Sequence, residues 1–543
     1  MGLGKRSLLA GLFFMLTVSA FGQGVYEAWV ARYDGPVSSY DYGRALAIDK
    51  NGNLCVTGTH TDTLGGYENS DYVTIKYAPN GNILWLKSYD ADNYYDWPDA
   101  LAVDDSGNVY VTGNSGGSCA TIKYTPDGDT VWVRRYSGFP LALTVDDSSN
   151  VYVTGGTEYV EDYLTIKYGP NGDTLWTRRY NGPYSGQDWA TDVAVDKGGN
   201  VYVTGYAGGT TFEIATIKYA PNGDTLWSRQ YPGSYLAYGI PRRLAVDDSG
   251  NVYVTGYSGS APISLDCVVI KYTPNGDTLW VRTYNGPLNY EDYPKAVALD
   301  NNGNLYLCGS TTGDSGGYLN IDYLIMKYAP NGDTLWVRSY NYGPGYSGDL
   351  AWALAVDDSG NVFVTGSSLD TLGNEDIATV KYSPQGDLLW EMRYDGPING
   401  ADEAAALAVD DSGNVYVTGV SEGDGTSMDI VTIKYSPCSD IPGDVNSSGT
   451  ITLGDIVHLL NYLFDRDYPP CIGIDPGNCW DYGLVCRGDV NNSASITLGD
   501  IVHLLNYLFD RDNPPCVGTD PGNCWTPVAN GACCQPVPSL KAN

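Results

Sequence analysis

Short apolar and polar runs alternate along most of the chain and form one pattern that recurs eight times between positions 25 and 435. Each cycle contains a Trp-x-x-x-Tyr run, a loop, "LAVD", a short turn, "NVYVTG", a second loop, "TIKY" and "PNGDTLW". The runs are rich in Val, Ile, Thr and Tyr, and turns such as Asp-Ser-Gly-Asn or Pro-Asn-Gly-Asp separate them. Each cycle therefore predicts four antiparallel strands.

Two series of residues mark the period of the repeat. The aspartates that end the "LAVD" runs recur at intervals of 42 to 57 residues and are Asp49, Asp104, Asp146, Asp196, Asp247, Asp300, Asp357 and Asp410. The tryptophans of the "TLW" runs are Trp29, Trp85, Trp132, Trp176, Trp227, Trp280, Trp336 and Trp390. Eight four-stranded units predict an all-β eight-bladed β-propeller over residues 25–435. The alternative, a β-solenoid, would use shorter rungs without two long variable loops per cycle.

The repeat resembles a known family. "DYVTIKYAPNGNILW" and "ALAVDDSGNVYVTG" are similar to the bacterial SBBP-type propeller repeat and, more loosely, to NHL repeats. The resemblance implies that "LAVD" is the innermost strand of each blade. Residues 29–33 then close the ring as the outer strand of the last blade, which limits exposed strand edges. The fold alone implies no function, because propellers host many unrelated activities.

The two variable loops of each cycle emerge on one face, where binding usually resides. Aromatic residues are frequent there, and the densest group is Tyr94, Tyr95 and Trp97, followed by Trp189 and Trp352. Flat rings suit sugar faces or peptide side chains, so we predict a glycan or protein ligand at this face. Because many carboxylates accompany the rings, we expect the ligand to be neutral or cationic. The alternative role of each ring is to pack loops against neighbouring blades.

Residues that recur in nearly every blade point to structure instead of catalysis. An Asp precedes six of the "TIKY" runs and a Lys lies in all eight, which predicts a structural ion pair or strand brace. The recurring Trp is expected to pack between blades. The propeller's one histidine, His60, is interpreted as a solvated loop residue, and Cys55, Cys119, Cys267 and Cys308 as buried free thiols. The sequence has neither an H-E-x-x-H nor a P-loop motif, so we predict no catalytic residue.

Near the end of the chain, two near-copies of a loop and helix replace the repeats: "GDVNSSGTITLGDIVHLLNYLFD" and "GDVNNSASITLGDIVHLLNYLFD". Oxygen-bearing residues stand at the spacing of an EF-hand calcium loop. The predicted calcium ligands are Asp444, Asn446, Ser448, Thr450 and Asp455 in the first copy and Asp489, Asn491, Ser493, Ser495 and Asp500 in the second. Apolar residues at helical spacing follow each loop and predict an amphipathic helix.

This duplication resembles the type I dockerin, a calcium-folded module that binds a cohesin on a scaffold protein or cell surface. The resemblance implies a small C-terminal α-helical, EF-hand-like domain with a cohesin-like partner. Ala494 replaces the turn glycine of the second loop, so we expect that calcium site to be the weaker. Equal spacing in both copies favours Cys471–Cys479 and Cys516–Cys524 disulfides in an exported protein.

The N-terminus and the net charge restrict where the protein works. Lys5 and Arg6 precede an apolar run and Ala20-Phe21-Gly22, which predicts a secretory signal peptide over residues 1–22. A membrane anchor is the alternative, but the run is shorter than the ~18–20 residues of a span. The net charge of −34 would repel nucleic acid and anionic membranes.

The sequence therefore predicts a chain with five parts: a signal peptide (1–22), the propeller (25–435), a short linker (436–443), the dockerin-like module (444–526) and a Cys-containing tail (527–543). The favoured hypothesis is a secreted or cell-surface recognition propeller without catalytic activity, attached to an extracellular assembly through its calcium-dependent module. The alternative is a dockerin-bearing glycoside hydrolase of polysaccharide catabolism. A unique pair of carboxylates in a pocket on the variable face would favour the enzyme.

Overall fold

A computed structural model describes residues 25–437 except positions 65–66, 92–94, 158–161, 184–185, 210–211, 233–237, 261–263, 316–317, 343–347 and 371–372. The described residues form eight four-stranded antiparallel sheets and contain no helix. The described part of the chain therefore contains no helix that is long and apolar enough to cross a membrane. The predicted signal peptide and the dockerin-like module, with all ten predicted calcium ligands, lie outside the described residues.

Each sheet is one blade, and its strands follow one another outward from the centre of the ring. The innermost strands carry "LAVD" and are β2 (Tyr42–Ile48), β6 (Asp96–Val103), β10 (Phe139–Val145), β14 (Asp188–Val195), β18 (Tyr238–Val246), β22 (Tyr293–Leu299), β26 (Asp349–Val356) and β30 (Asp402–Val409). The second strands are β3 (Leu54–Leu64), β7 (Val109–Ser115), β11 (Val151–Gly156), β15 (Val201–Gly208), β19 (Val252–Ser260), β23 (Leu305–Ser315), β27 (Val362–Leu369) and β31 (Val415–Glu422). Blades 1 to 8 are numbered in the order of these innermost strands.

The third strands carry "TIKY" and are β4 (Tyr67–Tyr77), β8 (Ser118–Tyr124), β12 (Tyr163–Tyr168), β16 (Phe212–Tyr219), β20 (Ser264–Tyr272), β24 (Tyr318–Tyr328), β28 (Glu375–Tyr382) and β32 (Met428–Pro437). The outer strands are β5 (Ile83–Tyr89), β9 (Thr130–Tyr136), β13 (Thr174–Tyr180), β17 (Thr225–Tyr231), β21 (Thr278–Tyr284), β25 (Thr334–Tyr340), β29 (Leu388–Tyr394) and β1 (Val25–Tyr33). The prediction of an all-β propeller with eight blades is confirmed.

Blade 8 takes its outer strand from the start of the described chain. Its order is β1-β32-β31-β30, and β1 pairs antiparallel with β32, with Val30 opposite Ile433 and Arg32 opposite Val431. The predicted closure is therefore confirmed, and the edge of β32 is covered by a strand from the other end of the ring.

The apolar core is divided into clusters that neighbouring blades share. Trp132 shows the arrangement: its ring lies between Tyr110 of its own blade and Tyr168 of the next, at centroid distances of 6.2 and 5.9 Å. The prediction that the recurring tryptophan packs between blades is confirmed. Each blade thus buries its apolar faces only when it has two neighbours.

At seven of the eight junctions between described blades, a proline carbonyl connects a blade to the one before it. Pro170 O accepts hydrogen bonds from Trp132 Nε1 at 3.1 Å and Lys123 Nζ at 3.0 Å, both on the preceding blade. We call this pair of hydrogen bonds, from one tryptophan and one lysine to the same proline carbonyl, the proline latch. Equivalent tryptophans and lysines of other blades donate to the carbonyls of Pro79, Pro126, Pro221, Pro274, Pro330 and Pro384. Because both donors are obligatory hydrogen-bonding groups at a largely buried place, the latch fixes the angle between blades.

The lysine of the latch also pairs with the aspartate that ends the innermost strand. Lys76 Nζ lies 2.9 Å from Asp49, and both side chains are almost fully buried. Burial raises the pKa of Asp49, but hydrogen bonds from Asn53 and Lys76 outweigh it, so the pKa is lower than usual. The recurring lysine is therefore a structural brace, as predicted, but its ion-pair partner is the aspartate of "LAVD" and not the aspartate that precedes "TIKY".

The four cysteines of the propeller are buried free thiols, as predicted: Cys55, Cys119, Cys267 and Cys308. The interpretation of His60 is wrong. Strand β3 continues past the "NLCVTG" run, so His60 lies within a strand, is 3% exposed, and bonds Tyr33 Oη at 2.9 Å and Ser88 Oγ at 2.8 Å.

Removing residues 25–34 should destabilise the whole ring. The deletion takes away β1, exposes the edge of β32 and removes the Trp29 donor of the Pro79 latch. We expect a large decrease in the melting temperature, measured by circular dichroism. Removing residues 534–543 shortens the chain equally without touching a described strand and serves as the control. An unchanged melting curve for the first deletion would contradict the closure.

Replacing Lys76 by Met should cost about 3–5 kcal/mol, because Asp49 is left buried without its cation. Lys50 makes a 2.9 Å ion pair with Asp105 in which both side chains are 66% exposed, so Lys50→Met should cost less than about 1 kcal/mol. Urea denaturation at pH 7 measures both. The Asp49 contribution is present above its unfolded pKa of about 4 and is lost as the pH falls through the lower folded value. Equal costs for the two variants would contradict the brace.

Candidate functional site

Every innermost strand contains a β-bulge at the same place. In blade 1, Gly43 pairs with Gly58 and Ala45 with Thr57, so Arg44 between them has no partner across the sheet. The glycine is required because a Cβ at Gly58 would lie only 2.1 Å from the Tyr42 carbonyl oxygen. The eight bulge residues are Arg44, Asp99, Leu141, Thr191, Arg242, Lys295, Trp352 and Ala405.

The bulge residues differ from blade to blade in a ring that otherwise repeats itself. Five of them, together with Asp192 and Arg243, line a central cavity of about 340 Å³. We call the eight bulge residues with Asp192 and Arg243 the channel mouth. Cavities of about 410 and 470 Å³ lie between neighbouring turns of the opposite face, but they use the same repeated Asp, Asn and Lys positions. Bulges commonly re-aim side chains at functional sites, so the mouth is the candidate site.

Two parts of the mouth pair opposite charges from adjacent blades. Burial raises the pKa of Asp99 to about 7, and Arg44 on blade 1 opposes that shift. Burial also raises the pKa of Asp192, which Arg243 on blade 5 opposes. The Leu244 amide donates to Asp192 Oδ2 at 2.8 Å and holds this carboxylate in place.

A third part of the mouth is basic. Lys295 Nζ lies 4.0 Å from the centroid of the Trp352 ring. Burial and the nearby charges of Arg242 and Arg243 lower the pKa of Lys295. We call Arg242, Arg243 and Lys295 the basic sector. The channel mouth therefore contains four cationic side chains, Arg44, Arg242, Arg243 and Lys295, beside the carboxyl groups of Asp99 and Asp192.

Aromatic side chains also surround the mouth, two residues before the bulge in five blades: Tyr42, Trp97, Phe139, Trp189 and Tyr293. Trp97 is 39% exposed. Trp189 stacks on Phe139 of the preceding blade, at a centroid distance of 5.8 Å and an interplanar angle of 9°. Trp189 therefore offers less free ring surface than Trp97.

The predicted ligand-binding residues occupy different environments. Tyr95 is 60% and Trp352 36% exposed, whereas Tyr94 lies outside the described residues. Trp97, Trp189 and Trp352 belong to blades 2, 4 and 7. No two of these tryptophans lie on neighbouring blades, so a ligand that touches two of them would extend across the mouth.

Four carboxylates of the described variable face interact closely with other charged or carboxyl groups. Asp99 and Asp192 each interact with an arginine of an adjacent blade. Glu375 shares a hydrogen bond with Glu403, and burial together with this neighbour raises the pKa of Glu375. Two carboxyl groups in direct contact leave no room for a glycosidic bond between them, since hydrolases separate theirs by about 5 Å or more.

Sequence reasoning missed the charged residues of the mouth, although a signal for them exists. Asp192 and Arg243 directly follow the bulge residue, at a position where the other six innermost strands have alanine. The bulge position itself varies more among the eight blades than any other position of the innermost strand. Departures from the repeat, instead of its most frequent residues, therefore mark the candidate site.

The comparisons with known proteins agree with the fold. The family model described as SBBP, a beta-propeller repeat, matches residues 91–118, 175–213, 226–264 and 282–317. An uncharacterized WD repeat-containing protein of Acanthamoeba polyphaga mimivirus is 23% identical over 447 residues, which are 72% of this chain and 30% of that protein. The chain thus spans less than a third of the length of this curated relative.

The similar solved structures include a lyase and a plexin. Virginiamycin B lyase from Staphylococcus aureus with quinupristin is 12% identical, with a TM-score of 0.38, and the match covers 64% of this chain and 97% of that one. Drosophila plexin A in complex with semaphorin 1b is 10% identical, with a TM-score of 0.41, and the match covers 78% and 89%. These scores carry no information on function. The family match and the strands together show that this chain is a β-propeller repeat protein with SBBP repeats.

Proposed function

We propose that the protein is a recognition propeller that binds an extracellular ligand at its channel mouth. The observation that supports this proposal most is the contrast between the repeated and the unrepeated positions. The proline latch and the Asp–Lys brace recur around the ring, whereas the bulge residues do not. Structural demands alone would favour the same small residue in every blade, so their variety is best explained by ligand recognition.

The chemistry of the mouth favours a ligand that combines flat apolar faces with a negative group. Exposed rings such as Trp97 and Tyr95 can stack on sugar rings, and the basic sector beside Trp352 can bind a carboxylate or sulfate. We therefore propose an acidic glycan as the ligand. A protein ligand with an acidic segment is the other outcome that a binding screen would reveal.

The proposal includes secretion and attachment. The predicted signal peptide exports the chain, and the dockerin-like module binds calcium and then a cohesin-like protein or cell-surface scaffold. This part rests on the motifs of residues 1–22 and 444–526 alone. In this arrangement the module positions the propeller, and the channel mouth selects what the assembly binds.

Replacing Trp97 by Ala, or Lys295 by Ala, should weaken ligand binding about tenfold each, which corresponds to ~1.4 kcal/mol. The first change removes a stacking surface and the second a cation of the basic sector. The measurement is a glycan array with the full-length chain, followed by calorimetry on the glycans that bind. Leu175→Ala is the control, because Leu175 is 54% exposed on the outer strand β13, far from the mouth.

Normal binding by both mouth variants would show that the ligand binds elsewhere. Trp189→Ala separates packing from recognition, because its ring stacks on Phe139. We expect this variant to melt at a lower temperature than Trp97→Ala. If Trp97→Ala also unfolds, the ring of Trp97 is part of the core and its role in recognition is wrong.

Calcium should bind more tightly to the first predicted loop than to the second. Ala494 stands where the first loop has Gly449, and a non-glycine residue at this turn costs about 1–2 kcal/mol. We therefore expect Ala494→Gly to increase the affinity of the second site about 5- to 30-fold and Gly449→Ala to decrease that of the first by a similar factor. Calorimetry with CaCl₂ measures both, and unchanged affinities would contradict the assignment of the loops.

A further inference from the structure

One of the eight junctions between blades lacks its proline latch. Trp390 and Lys381 are the donor pair of blade 7 and lie opposite each other on β29 and β28. Among the described residues, no proline carbonyl accepts a hydrogen bond from either side chain, whereas the equivalent tryptophans of the other seven blades each have such an acceptor. Lys381 is nevertheless buried, and burial lowers its pKa while the charge of Asp357 opposes that shift. A buried ammonium group at this place needs an acceptor.

The latch is open at the place where the chain leaves the ring. Pro437 stands at the sequence position of the seven latch prolines and lines a cavity of about 280 Å³ together with Lys381. A Cβ at Gly413 would lie 3.8 Å from the Pro437 ring, so this ring occupies nearly the usual place. However, β32 extends to Pro437, opposite Val25, whereas the other third strands end before their proline. The course of the chain after Pro437 therefore decides which oxygen the two donors meet.

The outer strands on both sides of blade 8 also depart from the repeat. Their first residue is threonine in five blades: Thr130, Thr174, Thr225, Thr278 and Thr334. At this position blade 1 has Ile83 and blade 7 has Leu388, which are 53% and 49% exposed. Blade 1 exposes Leu86 as well. One exposed leucine or valine at the second position belongs to the repeat, but the additional apolar surface belongs to the two neighbours of blade 8.

The recurring tryptophans show the same asymmetry. Six of the eight are buried, whereas Trp29 of blade 8 and Trp390 of blade 7 are partly exposed. The open latch, the additional apolar residues and the less buried tryptophans thus all lie on blades 7, 8 and 1. Apolar surface concentrated in one part of a molecule indicates an interaction site.

The segment that follows Pro437 is within reach of this surface. The six linker residues 438–443 span at most about 20 Å when fully extended, so the first predicted calcium loop begins near blade 8. Blade 1 is also close, because Lys434 Nζ of blade 8 lies 3.1 Å from the Pro79 carbonyl oxygen. The segment offers apolar side chains at Ile441, Pro442, Ile456, Leu459, Leu460 and Leu463. A tether this short gives the segment a high effective concentration at the surface.

We propose that residues 438–465 pack against blades 7, 8 and 1 and complete the eighth latch. A backbone carbonyl of residues 437–443 accepts the hydrogen bonds of Trp390 and Lys381, and the apolar side chains of the segment cover Ile83 and Leu388. Because Pro437 lies beside the turns that follow "LAVD", this contact is on the face opposite the channel mouth. If the proposed attachment is right, the C-terminal module and the ligand occupy opposite faces of the ring.

Hydroxyl-radical footprinting of the full-length chain in CaCl₂ tests the contact. Leu84 of blade 1 and Leu226 of blade 4 are both 53% exposed within the ring and form a matched pair. We expect Leu84 to be oxidised about threefold more slowly than Leu226, because contact with the segment removes most of its exposed area. Equal oxidation would overturn the proposal. Protection of Leu84 that disappears on about tenfold dilution would show a second copy at this surface and would also overturn it.

Two sets of substitutions should release the segment. Ile83→Thr with Leu388→Thr restores the residue of the other blades, and Ile441→Ser changes only the linker. Each should raise the oxidation of Leu84 to the level of Leu226. Leu279→Thr is the control, because this residue is 52% exposed on blade 5, and it should leave Leu84 protected. Continued protection of Leu84 in both sets would overturn the proposal.

The latch is tested by replacing tryptophan with phenylalanine, which removes the indole N–H. Trp227→Phe breaks a latch that the structure shows closed, at Pro274. If the segment closes the eighth latch, Trp390→Phe should lower the melting temperature of the full-length chain by the same amount, within about a factor of two. A negligible decrease for Trp390→Phe beside a clear decrease for Trp227→Phe would show that the eighth latch stays open. Neither experiment uses a glycan or a cohesin-like partner, so the outcome is independent of the proposed recognition.

Discussion

The proline latch is the interaction on which the rest of the structure depends. One carbonyl oxygen accepts hydrogen bonds from an indole and an ammonium group of the preceding blade, and the lysine also reaches the aspartate at the end of its innermost strand. The latch therefore joins the inner and outer parts of one blade to the next. At Pro79 the donors are Trp29 on β1 and Lys434 on β32, so the same interaction that spaces the blades also closes the ring.

This arrangement separates support from recognition. The latches, the braces and the short turns lie toward one face and repeat with nearly constant residues. On the other face, bulges turn the eight innermost strands so that one side chain of each is free to vary. A bulge residue has no partner across the sheet, so Arg44, Lys295 or Trp352 can occupy it without disturbing the ladder. The rigid ring thus presents a set of unlike side chains around one cavity.

Much of the fold follows from the sequence because each repeat contains its own strand and turn signals. The eight "LAVD" aspartates and "TLW" tryptophans predict the number of blades, and the missing final strand predicts closure by β1. The burial of His60 could not be predicted in the same way, because β3 extends into what the pattern treats as a loop. The basic sector could not be predicted for a related reason. The alternation of residues along a strand does not show where a bulge changes the direction of a side chain, as it does for Lys295 beside Trp352.

Hydroxyl-radical footprinting of the full-length chain, with and without a bound glycan, tests recognition at the channel mouth most directly. We expect protection of Trp352 in the mouth and of Tyr95 and Trp97 beside it, with no change at latch residues such as Trp132 and Pro170 on the opposite side of the blades. Protection confined to the turns of the opposite face, with the mouth tryptophans still fully oxidised, would contradict it.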